Sequence, residues 1–147
     1  MTEPIAVLGA TGRTGGSTLR HLLDRGAVVR ALTRDPTGAA GSALRGLGAE
    51  VRPADMDDER SLREALEGVG RLFNVQPAYD QRGRYQGAQE VAQGDAVARA
   101  AADVGVSHVV QLSAGRGEPS GLPHFDNKLT IRAGFEDRGI TVTALHP

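Results

Sequence analysis

The segment Gly9-Ala10-Thr11-Gly12-Arg13-Thr14-Gly15 constrains this chain more than any other. It follows the nearly unbroken apolar run Ile5-Ala6-Val7-Leu8, which reads as a buried strand. It precedes a stretch, about Gly15 to Arg25, in which Leu19, Leu22 and Leu23 share one helical face and Gly26 supplies the stop. Glycines at GxxGxxG spacing between a strand and a helix have three separate uses. They make the tight turn, let backbone approach a ligand closely, and let the helix pack against the strand. The N–H groups and the positive dipole end at the helix start then form a cradle for phosphate. The residues of that cradle are Gly9, Thr11, Gly12, Arg13, Thr14 and Gly15. Glycine is abundant throughout, with 20 in 147 residues, so the position between strand and helix carries more weight than the glycines themselves.

The remaining sequence repeats the same alternation. Strands are predicted at Ala27–Thr33, Glu50–Pro53, Arg71–Val75, His108–Leu112 and Thr141–Leu145. Helices are predicted at Gly38–Leu47, from Asp57-Asp58 through Leu62, Ala65 and Leu66 to Gly68, at Gln86–Val104, and at Asp126–Arg138. Gly41 and Gly46 weaken the first of these, each by about 1 kcal/mol relative to Ala. Val91, Val97, Ala98 and Ala101 are the expected packing face of the long Ala-rich helix. Strands alternating with helices over short connections predict an α/β fold: a doubly wound parallel sheet of about six strands in three α/β/α layers. A length of 147 residues fits a single domain over 1–147.

Composition narrows the function. Seventeen basic and 18 acidic side chains leave a net charge of −1, which argues against non-specific nucleic-acid binding. The absence of Cys excludes disulfides, a thiol nucleophile and a thiolate zinc site. His21, His108 and His146 are scattered without an acidic cluster, so no metal site is expected. No secretory signal and no span long enough for a bilayer are visible, so a cytoplasmic protein is expected. The basic residues are 16 Arg and a single Lys, Lys128.

The end of the second strand bears on which dinucleotide the cradle suits. An acidic residue there would accept from a ribose 2′-hydroxyl. The chain has Thr33-Arg34 instead, and an Arg can pair with a 2′-phosphate. Arg13 could flank the same phosphate, while Asp35 leaves a ribose contact open. NADP(H) is therefore the expected cofactor, with NAD(H) as the alternative. Asp55 closes the third strand; with Asp57 and Asp58 beside it, it is also a candidate helix cap.

Four segments together resemble the NmrA-like branch of the extended, atypical short-chain dehydrogenase/reductases. They are Gly9–Gly15, Phe73-Asn74-Val75-Gln76-Pro77, Gly105-Val106-Ser107-His108-Val109-Val110, and Pro123-His124-Phe125-Asp126-Asn127-Lys128. The resemblance implies a Rossmann-like domain binding NADP(H), for reduction or for sensing the cofactor. It places Asp55 beside the adenine and the Gln76-Pro77 turn along the nicotinamide-side ribose, with Met56 and Val75 as further cofactor-binding residues. Ser113 occupies the strand-five serine position of the wider superfamily. Where that superfamily has Tyr and Lys four residues apart, this chain has His124 and Lys128. Lys128, His124 and Ser113 are thus the catalytic candidates, and Lys128 would also donate to ribose hydroxyls. The branch usually has Glu four residues after the Lys; Arg132 stands there, so a Lys–Glu pair is expected to be lost. The smaller substrate-binding region that follows in family members is expected to be absent.

Three functions fit this sequence. The first is a redox-sensing, regulatory dinucleotide binder with a protein partner. The second is an NADPH-dependent oxidoreductase acting on a quinone or similar acceptor. The third is a truncated product without independent activity. The oligomeric state is left open.

Overall fold

The structure, a computed structural model, describes residues 2–147. Its organising strand is β1 (Ile5–Val7), whose Ala6 and Val7 are fully buried. A strand this apolar needs cover on both faces and a neighbour on both edges. It pairs in parallel with β2 (Val29–Thr33) on one side and β4 (Arg71–Asn74) on the other. Beyond β2 lies β3 (Glu50–Pro53); beyond β4 lie β5 (His108–Leu112) and β6 (Thr141–Leu145). The six-stranded order is β3-β2-β1-β4-β5-β6, every pair parallel. The strand order reverses between β1 and β4, the place where open α/β sheets hold ligands at the strands' carboxyl ends.

Alternate residues of the strands feed two cores. Val7, Val29, Ala31, Val51 and Phe73 pack with Leu19 of α1 (Arg13–Asp24) and Leu44 of α2 (Ala39–Gly46). Ala6, Leu32, Leu72 and Val109 pack with α3 (Glu59–Leu66), α4 (Gly87–Val104) and α5 (Pro123–Glu136). Two cores on opposite faces of one sheet make the three-layer doubly wound architecture that the alternation predicts. Among the described residues no helix is long and apolar enough to cross a membrane.

Two helix starts and part of one packing face differ from the sequence expectation. α1 begins at Arg13, because Gly12 already serves as its N-cap in extended conformation. α5 begins at Pro123, whose fixed φ suits a first helical turn. On α4 the expected Val97, Ala98 and Ala101 are fully buried, but Val91 is only half-buried, and Glu90 and Gly94 join the inner face. Gly94 makes this possible, since a Cβ there would stand 2.6 Å from Ile131 of α5.

The acid that caps α3 is Asp58, accepting from the N–H of Arg60 at 3.1 Å and of Ser61 at 3.3 Å. Asp58→Ala is expected to cost about 1 kcal/mol, a fall of about 2–4 °C in thermal midpoint. An unchanged midpoint would remove the cap assignment. Asp55 is thereby released from capping.

Candidate dinucleotide site

A cavity of about 700 Å³ opens at the carboxyl ends of the central strands, over the glycine loop. Gly9, at φ +64°, turns the chain sharply after β1, and its carbonyl accepts from the N–H of Gly12 at 2.9 Å. Gly15 is buried; a Cβ there would lie 2.1 Å from the Gly9 oxygen and 2.9 Å from that of Leu8. Gly12 is exposed, and a Cβ there would meet only the Gly9 oxygen, at 3.2 Å. The three glycines thus divide the turn, the packing and the open approach among them.

At the start of α1 no side chain caps the helix and no acidic residue sits in the first turn. Gly16 donates to Gly12, so the N–H groups of Arg13, Thr14 and Gly15 precede the intrahelical ladder. Unpaired donors at the positive end of a 12-residue helix favour an anion. This cradle fits a dinucleotide pyrophosphate.

The other lining residues run in two directions from the loop. On one side stand Leu32, Thr33, Arg34 and Asp35 after β2, with Ala54, Asp55, Met56 and Asp57 after β3. Arg13 and Arg34 are exposed, and among the described residues no acidic side chain pairs with either. Asp35 is engaged in its own turn, accepting from the Gly38 N–H at 2.9 Å. On the other side stand Val75, Pro77 and Tyr79 after β4. Gly9, Thr11, Gly12, Arg13, Thr14, Gly15, Arg34, Asp55, Met56, Val75 and Pro77 all line this one cavity.

Gln76 and Lys128 do not line it. Gln76 turns inward and exchanges two hydrogen bonds with Asn74, donating through Nε2 at 2.6 Å and accepting through Oε1 at 3.1 Å. Lys128 is buried on α5, its ammonium paired with the Glu90 carboxylate of α4 and donating to the Gln76 carbonyl at 3.3 Å. Glu90 is fully buried. The expected loss of a Lys–Glu pair is therefore corrected: the carboxylate comes from α4, while Arg132 pairs with Glu136 at 2.8 Å on the surface. The Lys128 ammonium, expected to donate to a ribose, is held against the Gln76 carbonyl beside the turn that enters the cavity through Pro77.

Ser113 is buried after β5, its N–H donating to Leu145 at 2.8 Å, and it too stands off the cavity. His124 lies in the first turn of α5, not before it, among the rings of Tyr79, Tyr85 and Phe125. Desolvation, then the charge of Glu90, holds the Tyr85 phenol above its ordinary pKa. Among the described residues no group of His, Asp or Glu gathers to hold a metal ion.

The sequence reading passed over Gln86, at the N-cap of α4, and Gln89 and Gln93 on it, which line the cavity. Gln93 donates to Asp57 at 3.1 Å and Gln89 at 3.4 Å, tying α4 to the loop after β3. Their near-helical spacing on α4 is the signal that would have found them.

The NmrA-like family model matches residues 1–146. An NmrA-like family domain-containing oxidoreductase, hkm9 of Aspergillus hancockii, is 39% identical over 90% of this chain and 38% of its own length. Quinone oxidoreductase 2 of Escherichia coli is 30% identical over 96% of this chain and 47% of its own. Among solved structures, triphenylmethane reductase of Citrobacter sp. superposes with a TM-score of 0.86 at 31% identity, covering 97% of this chain and 48% of that one. The NADPH complex of the E. coli quinone oxidoreductase superposes at 0.81 with 30% identity, over 97% of this chain and 48% of that one. The chain spans less than half the length of these relatives. Its phosphate cradle, its sheet order and these likenesses agree: the chain belongs to the NmrA-like family.

Proposed function

We propose that the chain binds NADP(H) and forms the cofactor-holding half of a reductase. One observation carries this reading: an open helix start with unpaired Arg13 and Arg34 beside it, all lining one cavity. When bound, the reduced nicotinamide supplies hydride to an acceptor. The chain's own residues supply position. The N–H groups of Arg13, Thr14 and Gly15 hold the pyrophosphate, and Arg34 with Arg13 pairs with the 2′-phosphate. Asp55 and Met56 stand at the adenine, while Val75 and Pro77 wall the opposite end. Lys128, outside the cavity lining, holds the turn through the Gln76 carbonyl. The oxidoreductase relatives, two of them named for quinone and triphenylmethane substrates, support a reductive role.

NADP(H) is expected to bind at least about fivefold more tightly than NAD(H), since Arg34 is exposed and its pairing is partly screened. Arg34→Glu should shrink or invert that ratio. Equal affinities of the unmutated chain, measured by calorimetry, would defeat the proposal.

A regulatory, redox-sensing binder is the second reading. It is favoured by the withdrawal of Lys128 and His124 from the cavity lining, which leaves no Tyr–Lys acid pair there. NADPH oxidation with a panel of quinones separates the two: turnover supports the reductase, and tight cofactor binding without turnover supports the sensor.

A further inference from the structure

If phosphates occupy the glycine loop and the Arg34 end, a dinucleotide extended along the cavity brings its nicotinamide to Val75, Pro77 and Tyr79. An aromatic corner stands there. The chain has only five aromatic side chains, and Tyr79, Tyr85 and Phe125 gather at this one place around His124. Tyr79 lies 5.6 Å from Tyr85 and 5.7 Å from His124; His124 lies 5.2 Å from Phe125.

The corner is built, not incidental. Asp80 closes the loop between the tyrosines, accepting from the N–H of Arg82 and of Arg84, each at 2.9 Å, and from the Arg84 guanidinium at 2.7 Å. The Tyr85 hydroxyl accepts from Asn127 of α5 at 2.8 Å, which fixes the loop against the helix. Asp126 accepts from the N–H of Ser120 at 2.8 Å and of Gly121 at 2.9 Å, ordering the entry to α5 that presents His124 and Phe125.

Despite this bracing, Tyr79 is 50% exposed and Tyr85 41%. The tilts between neighbouring rings run from 49° to 76°, so no ring is covered by another lying flat upon it. A fixed, electron-rich phenol with an open face prefers a flat partner of opposite quadrupole or positive charge. Tyr79 also lines the cavity, so the corner is continuous with the proposed nicotinamide end.

We infer that Tyr79, backed by Tyr85, His124 and Phe125, forms a binding platform for a planar, electron-poor conjugated ligand, the acceptor of the reductase. The location rests on the NADP(H) reading; the platform itself rests on the rings. Tyr79 supplies the stacking face, and Tyr85 is the anchor that holds it.

The test uses the whole chain saturated with NADP+, which is already oxidised and permits no turnover. Menadione, a flat naphthoquinone, and 1-decalone, a saturated bicyclic ketone of similar size, are titrated by calorimetry. Menadione is expected to bind at least tenfold more tightly. Tyr79→Ala should weaken menadione about three- to tenfold, while Tyr79→Phe, which keeps the ring, should retain it. The loss for menadione should exceed severalfold any change in NADP+ affinity, because the phosphate contacts of NADP+ lie at the other end of the cavity, and thermal midpoints should not move, because Tyr79 is half exposed. Equal binding of the two bicyclic probes, or indifference of menadione to Tyr79→Ala, overturns the inference. If the chain binds no NADP+, the cofactor reading falls, and the same titrations on the free chain still decide the platform.

Discussion

Replacing Lys128 by Ala is expected to destabilise the chain by about 3–5 kcal/mol, because it strips the buried Glu90 carboxylate of its counter-charge. Glu90 is fully enclosed and the Lys128 side chain is 8% exposed, so water can screen neither charge. The pair also lies in a wider network. Asn127 donates to the Gly87 carbonyl at 3.2 Å and to Glu90 at 3.4 Å, and Gln111 donates to the Lys128 carbonyl at 2.9 Å. A loss of that size corresponds to a fall of roughly 10 °C in thermal midpoint. The pair itself is worth less than the loss of one member implies, since both charges were desolvated to form it. Lys128→Met combined with Glu90→Leu should therefore recover most of the stability lost by Lys128→Ala. A midpoint within 2 °C of the parent for Lys128→Ala, or a double variant no better than the single one, would refute the buried-pair reading. Because the ammonium also holds the Gln76 carbonyl, NADPH binding should fall in Lys128→Ala even though Lys128 does not line the cavity.

The contrast between that pair and the glycine loop shows which parts of this molecule are legible in its sequence. A phosphate loop is written in adjacent residues, and its meaning depends on the strand just before it and the helix just after. The apolar run at β1 and the strand–helix alternation are equally local, so the sheet, its layers and most of the cavity lining follow from reading along the chain. Glu90 is different. A carboxylate in an Ala-rich helix reads as a solvated side chain, and nothing local shows that its partner comes from the next helix. The position of Lys128 in the family motif marks it as special, but the direction its ammonium points depends on α4–α5 packing across Gly94 and Ile131. The aromatic corner is hidden for the same reason, since Tyr79 and Tyr85 meet His124 only after two loops have closed. Pro123 is a local signal of the early start of α5, and reading it as a first-turn proline would have put His124 on the helix.

The largest effects on the cofactor site are expected from two glycines of the loop, and they should differ in kind. Gly12 has φ −88° and ψ 177°, an extended conformation that a β-branched residue adopts readily. Its missing Cβ faces the open loop, near only the Gly9 oxygen at 3.2 Å. Gly12→Val should therefore fold, with at most a few degrees lost to a poorer helix cap. Its side chain would stand where the pyrophosphate must approach the N–H groups of α1, and NADPH binding should fall by at least a hundredfold. Gly15 is the packing glycine. Its Cβ would overlap backbone atoms of Gly9 and Leu8, and backbone cannot rotate aside as a side chain can. Relief requires α1 to move away from β1, which opens the core around Leu19 and Val7. Gly15→Ala, a single added carbon, should cost about 3 kcal/mol or more and lower the thermal midpoint by roughly 10 °C. Measuring midpoint and NADPH affinity on both variants separates the two roles. A stable Gly15→Ala protein would show that α1 does not depend on close approach to β1, and a Gly12→Val protein that still bound NADPH tightly would remove the phosphate from this loop.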